Sequence, residues 1–205
     1  KSIYKQYIKK SLQKIAIDLR LLRQRNYRTI ESLLGCDLII DIGANFGQYA
    51  NDRFLDGYEG EIISIEPLSY PHSKLLTASL QRPNWKVAPR YAISDQDTTI
   101  EINVSENYAS STIEQFTEYH KKIPGVNPNS IESIKCVTLT HFYHEFSISQ
   151  SKKVYVKIDT NGHEAKVLRG ISSECLSNIA AFQIEVPIAQ MYENQTSFDY
   201  YYDIM

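Results

Sequence analysis

The chain has 205 residues, 42% of them apolar and 22% charged, with a net charge of −2. That length supports one domain with its own core, and no run of about 18 apolar residues offers a membrane span. Cys36, Cys136 and Cys175 stand far apart with no CxxC pair, which argues against a zinc site or a disulfide framework and fits a reducing cytoplasm.

The charge is uneven. Residues 1–34 carry nine Lys/Arg against Asp18 and Glu31, a net of +7, which leaves −9 for the rest. Ile3, Tyr7, Ile8, Leu12, Ile15, Leu19 and Leu22 recur at helical spacing, so 3–31 reads as one or two helices with an apolar and a basic face. Such an extension either packs on its own domain or touches a polyanion, a partner or an anionic membrane surface. The chain begins at Lys1 rather than Met and shows no signal peptide, so a residue or a whole segment is expected to precede it; the expected location is cytoplasmic, with peripheral membrane contact open.

A domain over 35–205 follows. Residues 37–42 read as a buried strand, about 46–55 as its helix, and about 61–66 as a second strand ended by Pro67. A helix is expected over 70–80, and Trp85–Ala88 with Tyr91–Ser94 read as a third strand and its exit. Thr98–Val104 alternates and is rich in β-branched residues. Residues 105–130 form the longest irregular insertion, with a helical piece expected around 113–121. Ile134–Leu139 is a strand, Thr140 the expected cap of a short helix to about 147, and Val154–Ile158 an apolar strand ending at Asp159. Glu164–Arg169 reads as a helix closed by Gly170, Ala180–Val186 as a strand and 196–204 as a helix. Alternating strands and helices predict an α/β fold with a mostly parallel, doubly wound sheet. Since the chain ends in an apparent helix, a C-terminal strand pair is expected beyond it.

The chemistry starts at Asp41-Ile-Gly43-Ala44-Asn45-Phe-Gly47, a strand running into a glycine turn and a helix. Glu66 ends the next strand, at the distance of roughly 20 residues where an acid grips ribose hydroxyls. Together they point to an adenosine-containing cofactor. A dinucleotide fingerprint needs a glycine in the middle so that the backbone can approach a pyrophosphate, and here that position is Asn45. S-adenosylmethionine has no pyrophosphate. Asp41 is the candidate for its ammonium, amides near Asn45–Gly47 for its carboxylate, and Glu66 for its ribose.

Further segments follow in order: Ile65-Glu66-Pro67, Ala92-Ile-Ser94-Asp95, Ser110-Ser111, Lys157-Ile-Asp-Thr-Asn-Gly-His-Glu-Ala-Lys-Val-Leu-Arg-Gly170, Ile184-Glu185-Val186 and Met191-Tyr-Glu-Asn-Gln-Thr-Ser-Phe198. Over about residues 37–200 the chain resembles the FkbM family of S-adenosylmethionine-dependent methyltransferases. The resemblance implies a Rossmann-like class I methyltransferase fold and methylation of a hydroxyl on a sugar, glycan, polyketide or similar metabolite. It implies that Ala92, Ser94 and Asp95 sit beside the adenine. The chain departs from the family after Val137-Thr138-Leu139, where Thr140 and His141 stand in place of a frequent acid.

An alcohol attacks only as its proton leaves, so a base is expected. Asp159, His163 and Glu164 are the candidates, His163 for its intrinsic pKa. Asp159 and Glu185, at the ends of neighbouring strands, are a possible carboxylate pair for Mg²⁺. Ser110, Ser111 and Tyr108 are expected to face the acceptor, and the 15 tyrosines suit stacking on a sugar ring. Asp159-Thr-Asn-Gly162 lacks the Pro-Pro-aromatic turn of base N-methyltransferases, which disfavours nucleic acid. Two other readings stand beside this one: an NAD-dependent oxidoreductase, and a non-catalytic protein binding a polyanion or partner through residues 1–34.

Overall fold

A computed structural model describes residues 29–118, 123, 126, 128–186, 190–193 and 195–204. The expected helices over 3–31 therefore lie almost wholly outside the described residues, which begin just before α1 (Ile30–Leu33). The elements then run β1 (Leu38–Ile42), α2 (Gln48–Leu55), β2 (Glu61–Ile65), α3 (Ser69–Ser79), β3 (Trp85–Val87), β4 (Ala92–Ser94), β5 (Thr98–Ser105), β6 (Pro128–Thr138) and α4 (Leu139–Glu145). They continue as β7 (Val154–Ile158), α5 (Glu164–Arg169), α6 (Ser173–Leu176), β8 (Ile179–Ile184) and α7 (Phe198–Ile204). No helix among the described residues is long and apolar enough to cross a membrane.

Five strands form a parallel sheet in the order β3-β2-β1-β7-β8, the Rossmann-like arrangement in which β1 is central and the order reverses beside it. β1 and β7 are buried at every position, as strands covered on both faces must be. Leu38, Ile40 and Ile42 face a core with Val156, Ile158, Phe142 and Val167; Ile39 faces the other, with Ala50, Phe54, Leu75 and Trp85.

A three-stranded sheet, β4-β6-β5, stands beside it, and this corrects the sequence reading of one sheet. Trp85–Val87 pairs with β2, but the chain then leaves, and Ala92–Ser94 pairs with Cys136–Thr138 of β6. β5 and β6 are antiparallel, closing a small core of Leu68, Ala92, Ile102, Ile134 and Cys136.

Two local expectations also change. Residues 113–118 are not helical: Thr112 pairs with Asn103, and Phe116 with Tyr192, so the backbone hydrogen bonds run across the fold instead of along a helix. The cap of α4 is Thr138, whose Oγ1 accepts from the His141 amide at 3.0 Å. Thr140 Oγ1 instead donates to the Gly170 carbonyl and accepts from the Ser172 amide. Gly170 does close α5, but with φ −79°, so no left-handed turn demands it. A Cβ there would stand 2.1 Å from the Ser94 carbonyl oxygen, so α5 reaches β4 only because the residue is glycine. Gly170→Ala is expected to lower stability by about 1–3 kcal/mol, read from the urea midpoint, through forced separation of these two elements.

Candidate active site

Parallel register places Ser64, Asp41, Lys157 and Gln183 side by side across β2, β1, β7 and β8. This polar row near the strand ends explains why charged residues interrupt otherwise apolar strands. Trp85 Nε1 donates to Ser64 Oγ at 3.0 Å, and Ser64 Oγ donates to Asp41 Oδ2 at 3.2 Å. Lys157 Nζ lies 3.3 Å from Asp41 Oδ1, 3.1 Å from Asp159 Oδ2 and 3.3 Å from the Gly43 carbonyl. Burial opposes the Lys157 charge, but Asp41 and then Asp159 outweigh it and hold its pKa above the ordinary lysine value. Burial pushes the Asp41 carboxyl up, and the lysine beside it pulls the other way.

Above this row lies a cavity of about 400 Å³, at the C-terminal strand ends where open α/β sheets take ligands. On the β1–β2 side it is lined by Gly43, Ala44, Asn45, Glu66 and Pro67. Glu66 Oε2 accepts from the Asn45 amide and Oε1 from the Leu68 amide, both at 2.8 Å. Burial raises its pKa to about 7, against the pull of those two amides. Asn45 sits at φ 50°, and its Oδ1 is buried without a hydrogen-bond partner. A Cβ on Gly43 (φ +79°) would come 1.8 Å from the Asp159 carbonyl oxygen, so the two strand ends meet only through this glycine.

The opposite wall comes from the β7–α5 turn and the 105–118 insertion. Asp159, Asn161, His163, Tyr108, Ser111 and Thr112 line it, with Glu185 beyond β8. Asn161 Nδ2 donates to the Ala109 and Ser111 carbonyls, and Thr112 Oγ1 donates to the Asn161 carbonyl at 2.7 Å. Of the four described non-glycine residues with positive φ, Asn45, Tyr108 and Asn161 all line the cavity. Each such conformation costs on the order of 1 kcal/mol, and that strain gathers around the cavity, Asn45 on one wall and Tyr108 and Asn161 on the other.

The profile of the methyltransferase FkbM domain family matches residues 41–205, the stretch that carries both walls. The chain belongs to this family. No curated protein matches the sequence. A solved methyltransferase FkbM from Methylobacillus flagellatus KT is similar at 12% identity and a TM-score of 0.40, covering 66% of this chain and 28% of that one. The chain thus spans little more than a quarter of that protein's length. With the family shown, the oxidoreductase reading gives way.

Within this FkbM domain the expected site residues divide. Gly43, Ala44, Asn45, Glu66, Pro67, Ala92, Ser111, Asp159, His163 and Glu185 meet at the cavity. Asp41 lies beneath it, fully buried and held by Ser64 and Lys157, so it offers no direct contact. Gly47 turns its open side to Trp85 and Leu75. The Asn45 and Gly47 amides are spent on Glu66 and the Ala44 carbonyl, so these two are not free for a carboxylate. Ser94 is buried behind the wall and bonded to His163, Asp95 reaches Arg169 at 3.6 Å, and Ser110 closes a turn with Asn107. His141 pairs with Asp97 at the surface.

His163 is 2% exposed and engaged at both ring nitrogens, Nδ1 with Glu114 Oε1 at 3.1 Å and Nε2 with Ser94 Oγ at 2.9 Å. Glu114 is held down to about 2, first by that histidine and also by Lys166. Glu164 turns inward and accepts from Thr160 and Gly162, stitching the turn that carries Asp159. Burial raises its pKa. Asp159 keeps a partly exposed carboxylate facing the cavity. Glu185 lines the cavity with it, and the Asp159 charge, then burial, raise the Glu185 pKa. No set of three or more His, Cys, Asp or Glu fit to hold a metal gathers among the described residues, and the Lys157 ammonium already stands against Asp159.

Lys157, Asn161 and Glu114 are site residues that a motif reading passes over. Lys157 has a signal, a lone charge inside Val-Tyr-Val-Lys-Ile. Asn161 follows Asp159 in a turn before a glycine, which suits an αL residue. Glu114 has no local signal, because its partners lie 49 and 52 positions away.

Proposed function

We propose that this domain binds S-adenosylmethionine in the cavity and methylates a hydroxyl oxygen of a small or glycan acceptor. The carrying observation is the pairing of a buried Glu66, anchored by two amides, with the unpartnered Asn45 Oδ1 on one wall of a cavity whose other wall is Asp159 and Glu185. Each Glu66 oxygen has lone-pair capacity left after its amide bond, which suits the two ribose hydroxyls. Pro67, Leu68, Ala92 and Ile93 supply an apolar slot for a flat base, and the glycine turn leaves room for the amino-acid end. These donors, acceptors and apolar surfaces fit the cofactor.

Bound there, S-adenosylmethionine supplies an electrophilic methyl group on a good leaving group, so the protein's task is alignment and removal of one proton. Asp159 and Glu185 are the groups placed for the proton, because His163 has both nitrogens engaged and Glu164 faces its own turn. Lys157 Nζ stands 3.1 Å from Asp159 Oδ2, and Glu185 lines the same side of the cavity.

The test is transfer of labelled methyl from S-adenosylmethionine to a panel of sugars, glycans and hydroxylated metabolites. The expected product is a methyl ether, stable to base. A base-labile ester, an N-methyl product, or no transfer by a protein that binds the cofactor would contradict O-methylation.

A further inference from the structure

Charge is distributed unequally around the cavity. Lys157 is shared between Asp41 and Asp159 at 3.3 and 3.1 Å, so its charge is already answered. Against it stand Asp159, with a side chain 31% exposed, and Glu185, which lines the same cavity and feels the Asp159 charge. Glu164 adds its field behind them. Neighbouring carboxyls repel when both ionise, and a cation set against them relieves that repulsion where a neutral group does not.

The placement of the pair matters as much as its sign. With ribose held at Glu66 on β2 and the amino-acid end at the Gly43–Gln48 turn, the cofactor's sulfur would fall between them, on the β1 side of the cavity. β7 is the next strand, and its end carries Asp159. We propose that the Asp159–Glu185 pair reads the charge at the cofactor's sulfur, favouring the cationic methyl donor over the neutral thioether that remains after transfer. This rests on the cofactor reading above. The charge balance gives the pair a purpose. As the sulfur–carbon bond breaks, its electron pair stays on sulfur. The acceptor oxygen forms the new bond to the methyl carbon, and its proton passes to the carboxylate pair. Cation and anion are discharged in one event, and the attraction that held the donor is gone when the product must leave.

Calorimetry with two analogues tests this without any acceptor. Sinefungin carries an ammonium where the donor carries its sulfonium, and S-adenosylhomocysteine is neutral there. The parent protein is expected to bind sinefungin about tenfold more tightly. Glu185→Gln, which keeps size at an exposed strand end, and Asp159→Asn are each expected to bring the two affinities within about twofold of one another. Glu66→Gln is expected to weaken both ligands and leave their ratio unchanged. Equal affinities in the parent, or a preference that survives in both variants, would overturn the proposal while leaving the cofactor reading standing. Binding of neither ligand by the parent would overturn both.

Discussion

Lys157→Ala is expected to destabilise the domain by about 3–5 kcal/mol, because it strips the cation from a fully buried carboxylate. Asp41 has no exposed surface, and the Lys157 side chain is 8% exposed, so water cannot replace the lost partner. Asp159 would then repel Asp41 without a charge between them. For a chain of this length the Tm should fall by roughly 6–20 °C. The loss should depend on pH. Burial already raises the Asp41 pKa, and removing Lys157 removes the largest force lowering it. A carboxyl whose folded pKa is raised favours folding below its unfolded pKa, and that contribution disappears as pH climbs through the folded value. The deficit against the parent should therefore be smallest near pH 5 and grow towards pH 8, as urea titrations at each pH would report. A loss under about 1 kcal/mol at every pH would mean that the pair carries no structural load. Asp41→Asn in the lysine-free background should recover part of the loss, since a neutral amide keeps a hydrogen bond to Ser64 without the buried charge.

Affinity for S-adenosylhomocysteine should fall about tenfold between pH 8 and pH 6, with Glu66 as the cause. In the free site burial raises this carboxyl to about 7, while the Asn45 and Leu68 amides restrain the rise. The ribose hydroxyls are donors and prefer the ionised form, so binding lowers the pKa and expels a proton. At a pH above about 7 that proton is already gone; below it, each unit costs up to a factor of ten. Glu66→Gln should remove the slope, because an amide does not titrate. It should also weaken binding at pH 8 by a factor on the order of 100, since one acceptor oxygen and its charge are lost. A pH slope that persists in Glu66→Gln would place the titrating group elsewhere in the cavity.

How much of this was legible in advance depended on the type of signal. Val154–Ile158 and Glu164–Arg169 stand where the sequence puts them, because an apolar run of strand length and a short helical pattern ending in glycine leave little ambiguity. The second sheet was not legible. Thr98–Val104 alternates as a strand does, but alternation does not say which strand a segment pairs with or in which direction, and β6 begins at Pro128, inside the expected irregular insertion, before the expected strand at Ile134. The insertion misled for a related reason: residues 113–118 were read as helical, yet their backbone partners are Met191 and Glu193, more than 70 positions away. In the site, Gly43, Asn45 and Glu66 were readable because a turn and a strand-end acid have fixed spacing. The position of Asp41 beneath the cavity was not, since it depends on the parallel register that sets Lys157 beside it. His163 stood out as a base by its pKa class, but only the fold brings Glu114 and Ser94 to its two nitrogens.

The most direct measurement is a calorimetric titration of the full chain with S-adenosylhomocysteine at pH 8, repeated with Glu66→Gln. Saturable one-to-one binding in the micromolar range is expected, lost or greatly weakened in the variant. An absence of binding up to millimolar ligand, or equal affinity in the variant, would contradict a methyl donor's seat between Gly43–Asn45 and Glu66.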